Sequence, residues 1–173
     1  MTDEELKILS YDLAARVPHE VKCQFTLKYG DNGHKEGVYI ATITEFGGNN
    51  WIEVEYNDTS GASGRPWLRD WSCGLEDIKP YLRPMSSMTE EEFEELKKFT
   101  GLTYDFTNGL DLATYPNNHK CLDFYLSEVP SYVVILVFDW LNEHHFDYRD
   151  LIERNLAIAV TESNNPYKCE LKR

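Results

Sequence analysis

Apolar and polar residues follow two periods along this chain, and the longest periodic run has the period of a helix. In residues 131–159 (SYVVILVFDWLNEHHFDYRDLIERNLAIA), Val133, Leu136, Val137, Trp140, Leu141 and His144 recur on one helical face. Ile135 and Phe138 add apolar area on the flanks, so the run predicts a buried helix, with Pro130 at its start. Asp139, Asn142 and Glu143 interrupt it and make it too short to cross a bilayer. A second helix is expected from about Tyr148, with Asp147 as N-cap and Asn155 as its left-handed end. At the other end of the chain, Thr2 and Glu5 have capping-box spacing. Leu6, Leu9 and Leu13 then form a stripe flanked by Ile8 and Val17, and Pro18 stops it, which predicts an amphipathic helix over 3–16.

Between these ends the period changes to two. Residues 21–29 (VKCQFTLKY) place Val21, Cys23, Phe25 and Leu27 on one side. Residues 37–46 (GVYIATITEF) are rich in β-branched and aromatic types, and residues 51–56 (WIEVEY) alternate Ile52, Val54 and Tyr56 with Glu53 and Glu55. Turn chemistry at 30–33 (GDNG) and 47–50 (GGNN) separates them. Residues 67–71 (WLRDW) and 78–82 read as further short segments. Short strands at this spacing predict a small curled antiparallel sheet, either an SH3-like barrel or an open sheet covered by the N-terminal helix. Beyond Pro80 and Pro84, Thr89 and Glu92 form a second capping box, which starts a helix with Phe93 and Leu96 inward and Gly101 at its end. Residues 109–118 read as loop and 121–126 (CLDFYL) as a strand. The whole predicts a single α+β domain over 1–173, with a soft seam near 84–88.

Charge and cysteines narrow the function classes. The net charge is −13, from 30 acids against 17 bases. Such a field repels nucleic-acid phosphates and favours basic surfaces on other proteins, although acidity also serves solubility alone. Cys23, Cys73, Cys121 and Cys169 each stand apart, without the paired spacing of a structural zinc site. The first residues are acidic and polar with no apolar signal core, so a cytoplasmic protein with reduced thiols and no membrane role is expected.

Candidate chemistry is sparse. Glu143, His144, His145 and Asp147 form the densest polar cluster. Adjacent histidines on a helix point about 100° apart, so a shared metal is disfavoured against a role at the helix end. No nucleophile elbow or phosphate-binding glycine loop is present, and Glu90–Glu92, Glu94 and Glu95 read as a solvated helix face. No catalytic residue, cofactor or metal ligand is therefore assigned. The one suggestive surface is Trp51, Tyr56, Arg65, Trp67, Arg69 and Trp71, types that anchor protein interfaces or stack on bases. The competing reading puts the tryptophans in the core.

Two long words, residues 77–92 (DIKPYLRPMSSMTEEE) and 138–157 (FDWLNEHHFDYRDLIERNLA), stand out together with residues 17–23 (VPHEVKC). They resemble a group of small proteins encoded in phages and prophages of Bacteroides-type gut bacteria. That group carries a PYLRPxSSMTEEE segment, a variable middle and a WLNxHHFDYRxLI end. The resemblance departs after the last word: where the group often continues with a GLALEAPEGMY-like tail, this chain reads NLAIAV and then TESNNPYKCELKR. It brings no reaction with it. It implies a mobile-element accessory protein. The expectation is a non-enzymatic protein that binds a host or phage protein with a basic nucleic-acid-binding surface, as an anti-CRISPR or anti-restriction type of inhibitor does. The alternatives are a barrel that binds nucleic acid or a nucleotide through its aromatic and arginine face, and a metal-assisted hydrolase built on His144 and His145.

Overall fold

A computed structural model describes residues 1–28, 36–47, 50–58, 67–101 and 130–168, with backbone alone for Asp58 and Trp67. The expected loop at 109–118, the expected strand at 121–126, Arg65, Cys121 and Cys169 lie outside the described residues. The fold is α+β. The chain divides into two units: Met1–Leu82 with Leu151–Arg173, and Arg83–Asp150.

The first unit begins with α1 (Asp3–Arg16), whose capping box is complete. Glu5 N donates to Thr2 Oγ1 at 3.2 Å and Thr2 N donates to Glu5 Oε2 at 2.7 Å, satisfying two otherwise orphaned donors. Leu9 and Leu13 are fully buried, with Leu6, Ile8 and Val17 beside them. Pro18 lies in the short 3₁₀ turn Val17–His19, and Glu20, at φ 54°, turns the chain into the sheet.

That sheet is a meander of β1 (Lys22–Leu27), β2 (Gly37–Gly47), β3 (Trp51–Asp58) and β4 (Trp67–Gly74), each antiparallel to the next. The 3₁₀ turn Leu75–Asp77 then leads to β5 (Ile78–Pro84), which pairs antiparallel with β1 through Cys23↔Pro80 and Phe25↔Ile78. The order β4-β3-β2-β1-β5 sets the consecutive strands β4 and β5 four strand spacings apart. In a flat sheet they would lie about 19 Å apart. Four residues of chain reach at most about 14 Å, and a 3₁₀ turn reaches less. The sheet must therefore curl, as the short strands and tight turns predict. It is not a closed barrel, because β4 and β5 do not pair.

The concave side of this curl holds the core. Val21, Cys23, Phe25, Ala41, Ile43, Ile52, Val54 and Ile78 meet Leu9 and Leu13 of α1, so the helix covers the inner face. The returning chain completes it with Leu151, Leu156 and Ala157. There Ile158–Ala159 runs parallel to β5, and Val160 N donates to Leu82 O at 2.8 Å. Tyr167 straps the end down: its hydroxyl donates to Tyr81 O at 2.9 Å and accepts from Lys22 N at 3.2 Å.

The expected helix from Tyr148 to Asn155 does not form. Asp147 Oδ1 accepts from Arg149 N, a local turn bond rather than a helix cap, and Asp150 takes a left-handed φ of 59°. Leu151 O then accepts from both Leu156 N and Ala157 N, which closes a turn instead of a helix. Asn155, at φ 58°, does adopt the left-handed conformation expected of it.

The second unit is built on α2 (Glu90–Thr100) and α3 (Ser131–Glu143). Thr89 and Glu92 form the expected capping box, and Gly101, at φ 69°, ends α2. Arg83 grips Glu92 with two nitrogens, at 2.6 and 2.9 Å, while its guanidinium lies 4.2 Å over the Phe146 ring. Phe146–Asp147 pairs in parallel with Arg83–Pro84. Met85, Leu96, Val133, Val137, Trp140, Leu141, Phe146 and Tyr148 form this unit's own core.

α3 is buried through Val133, Val137, Trp140, Leu141 and Asn142, while Tyr132 and Ile135 are 65% and 68% exposed. Apolar composition sets which face is available for burial, and the number of packing partners decides how much of it is covered. No helix among the described residues is long and apolar enough to cross a membrane.

Candidate interaction surface

Strand register sorts the sheet residues of the first unit into two faces, because side chains alternate along each strand. The pairs Phe25↔Tyr39, Ala41↔Tyr56, Tyr56↔Arg69, Val54↔Trp71 and Ile52↔Cys73 belong to the inner face. The pairs Thr26↔Val38, Gln24↔Ile40, Thr42↔Glu55, Glu45↔Glu53, Gly47↔Trp51, Glu55↔Asp70 and Asn57↔Leu68 belong to the outer face. The β2 bulge between Ile43 and Glu45 keeps the acidic residue outside and lets Phe46 point in.

This sorting breaks up the aromatic and arginine set. Tyr56 is 2% exposed and packs between Phe25 and Tyr39, with ring centroids 5.6 and 4.7 Å away. It is a core residue, and the interaction role given to it is withdrawn. Trp71 is half-buried against the same core, and Arg69 is half-buried on the same side. Trp51 is on the opposite face. The strand parity shared by Arg69 and Trp71 thus points inward, and Trp51 does not join them. Arg65 and the Trp67 side chain lie outside the described residues.

Trp51 is nevertheless held in place. Its indole leans over Gly47, where an added Cβ would come within 2.1 Å of the ring. The glycine gives the ring a seat that no other residue could leave open, and the side chain remains 37% exposed.

The outer face has a regular composition. Glu45 and Glu53 stand directly opposite one another, as do Glu55 and Asp70 on the next row. Like charges in directly opposed positions destabilise a sheet. None of these four carboxylates forms an ion pair among the described residues. Ser72 Oγ donates to Glu53 Oε1 at 3.5 Å, and Lys22, at the β1 end of the Glu55 row, donates to Thr42 Oγ1. On one side of this acidic band stands Trp51. On the other stand Val38, Ile40 and Leu68, which are 62%, 55% and 63% exposed. Sequence reasoning missed these positions. The alternation of Glu53 and Glu55 with buried neighbours was visible, but the facing residues on β2 and β4 depend on register.

The remaining candidates lie at the end of α3 and against the two cores. The His144 ring stacks on Trp140 at 3.8 Å, with Nδ1 2.9 Å from Trp140 O and Nε2 4.0 Å from Glu95 Oε1. His145, at φ 58°, turns the chain after the helix. Among the described residues no three His, Cys, Asp or Glu side chains converge as metal ligands. Burial pushes the Cys23 thiol well above its usual range, and burial with the carboxylates of Asp77 and Glu76 pushes the Cys73 thiol up to about 12. Both thiols are therefore protonated and poor nucleophiles at neutral pH. Arg83 and the Thr89 backbone hold the Glu92 carboxyl below the usual carboxylate range, which marks a structural ion pair. No family model, no curated protein and no solved structure matches the chain.

Proposed function

We propose that this protein acts by binding rather than by catalysis, and that the outer face of its sheet docks on a basic surface of another protein. The observation that supports this most directly is the acidic band. Two like-charge pairs face each other across neighbouring strands, a sequence that stability alone would not select. A basic partner would relieve that repulsion, which makes binding complementary in charge.

The fitting class of partner is a protein that handles nucleic acid, since its binding channel is the commonest large basic surface. Together with the resemblance to phage and prophage proteins, this supports reading the chain as an accessory protein of anti-CRISPR or anti-restriction type that blocks a host defence enzyme. Nucleic acid itself fits poorly, because the exposed face repels phosphates and Arg69 and Trp71 face inward.

The test is phage plating on a bacterial host that carries a defined nuclease defence. Expression of the wild type is expected to raise plating efficiency, and the charge-reversed variant Glu53→Lys/Glu55→Lys is expected to lose that protection without any fall in its melting temperature, since it turns both repulsive pairs into attractive ones. Equal protection by both proteins would overturn the reading.

A further inference from the structure

The acidic band is not the whole of the outer face. Charge lies in its middle, on Glu53, Glu55 and Asp70, and exposed apolar side chains lie at both ends. Trp51 stands at the start of β3. Leu68 faces Asn57 near the end of β3, and Ile40 is one position beyond the Ala41↔Tyr56 pair. The distance along β3 from Trp51 to Asn57 is about 20 Å, and β1 to β4 span about 14 Å. This patch of roughly 300 Å² is far below the ~800 Å² per partner of a stable interface between folded domains. It matches one helix, ~10 Å wide and ~20 Å long.

We propose that the occupant of this face is a single arginine-bearing amphipathic segment of the partner protein, laid along β3. Its cations sit over Glu53, Glu55 and Asp70, and its apolar residues cover Ile40 and Leu68 at one end and Trp51 at the other. Arginine fits better than lysine, because its planar fork meets a carboxylate through two bonds and stacks on an indole. The inference rests on the binding reading above and adds that recognition is mixed, with charge supplying attraction and the apolar ends supplying residence time.

Two labelled peptides of equal length and equal charge separate the ideas. One carries arginines between leucine-rich ends, and the other replaces every leucine by serine. Anisotropy titration of the full chain is expected to show the amphipathic peptide binding about tenfold or more tighter, the effect of burying one or two aliphatic side chains. The Ile40→Ser/Leu68→Ser variant is expected to abolish that difference without changing the salt dependence. If both peptides bind alike, the mixed-recognition inference fails and the charge reading stands. If neither binds, or if Glu53→Lys/Glu55→Lys binds as the wild type does, both fall.

Discussion

Asp12 and Arg16 form a two-bond ion pair one turn apart on α1, and both side chains are 0% exposed. Arg16 Nε donates to Asp12 Oδ2 at 2.6 Å, and Nη2 donates to Oδ1 at 3.0 Å. A pair at this spacing on a helix surface contributes only a few tenths of a kcal/mol, but these two are enclosed with Leu9 and Leu13 on the same helix. Removing one member of a buried pair takes this partner from the other's buried charge, which costs about 3–5 kcal/mol. Asp12→Ala is therefore expected to lower the urea midpoint sharply. Replacing both, as Asp12→Leu/Arg16→Met, is expected to recover part of that loss, because neither charge of the pair remains to be buried. Equilibrium unfolding of the two variants gives the comparison.

The outer-face carboxylates make the opposite prediction. Asp70→Lys puts a cation directly opposite Glu55 and replaces a repulsive pair by an attractive one. The variant is expected to be more stable by about 0.2–1 kcal/mol, with a smaller response to added salt than the wild type, because screening relieves the repulsion in the wild type alone. Its plating protection is expected to fall. Thermal unfolding at low and high ionic strength checks the first part.

The seat of Trp51 can be filled. In Gly47→Ala the new methyl group occupies the space of the indole, whose nearest atom would be 2.1 Å away. The residue is 37% exposed, and filling the seat pushes the ring outward into solvent rather than into the core, so little change in stability is expected. Instead the fluorescence of Trp51 is expected to shift to the red and affinity for a basic segment to fall. The same scan in a Trp51→Phe background, which should show no shift, identifies the emitter.

Acid should weaken the second unit through Glu92. Its folded-state pKa lies below the unfolded value, mainly because of the Arg83 bond, so the unfolded state binds the proton more readily. The pair's stabilisation is therefore fully present above the unfolded carboxylate pKa and is lost as pH falls through the folded value. The pair is about one-quarter exposed on both sides, so its contribution is about 1 kcal/mol. Glu92→Gln is expected to be less stable than the wild type at neutral pH, with the gap closing in acid. Chemical unfolding at a series of pH values measures it.

Several elements were legible in the residues alone. The two capping boxes at Thr2–Glu5 and Thr89–Glu92, the stripe of Leu9 and Leu13, and the alternation of β1 and β3 all depend on neighbours within a few positions. The helix expected after Tyr148 was not legible. Its apolar spacing was real, but Leu151, Leu156 and Ala157 serve the first unit's core from a turn, with Asp150 and Asn155 left-handed. Tyr56, Trp51 and Trp71 show the same limit from another side: their strand positions were correct, but their grouping into one surface was not.

What the sequence by itself determined is the type and approximate start of α1, α2, α3, β1, β2 and β3, and which residues on a given strand share a side. These are short-range properties, set by capping hydrogen bonds and by the periods of helix and strand. Only the tertiary structure decided which side is inside, which carboxylates stand opposite one another and how α3 divides between core and solvent. Those outcomes depend on strand register, on the curl imposed by the short link from β4 to β5, and on chain returning from far away in sequence. A two-residue period cannot carry that information, because shifting the register by one residue exchanges the faces without changing the pattern.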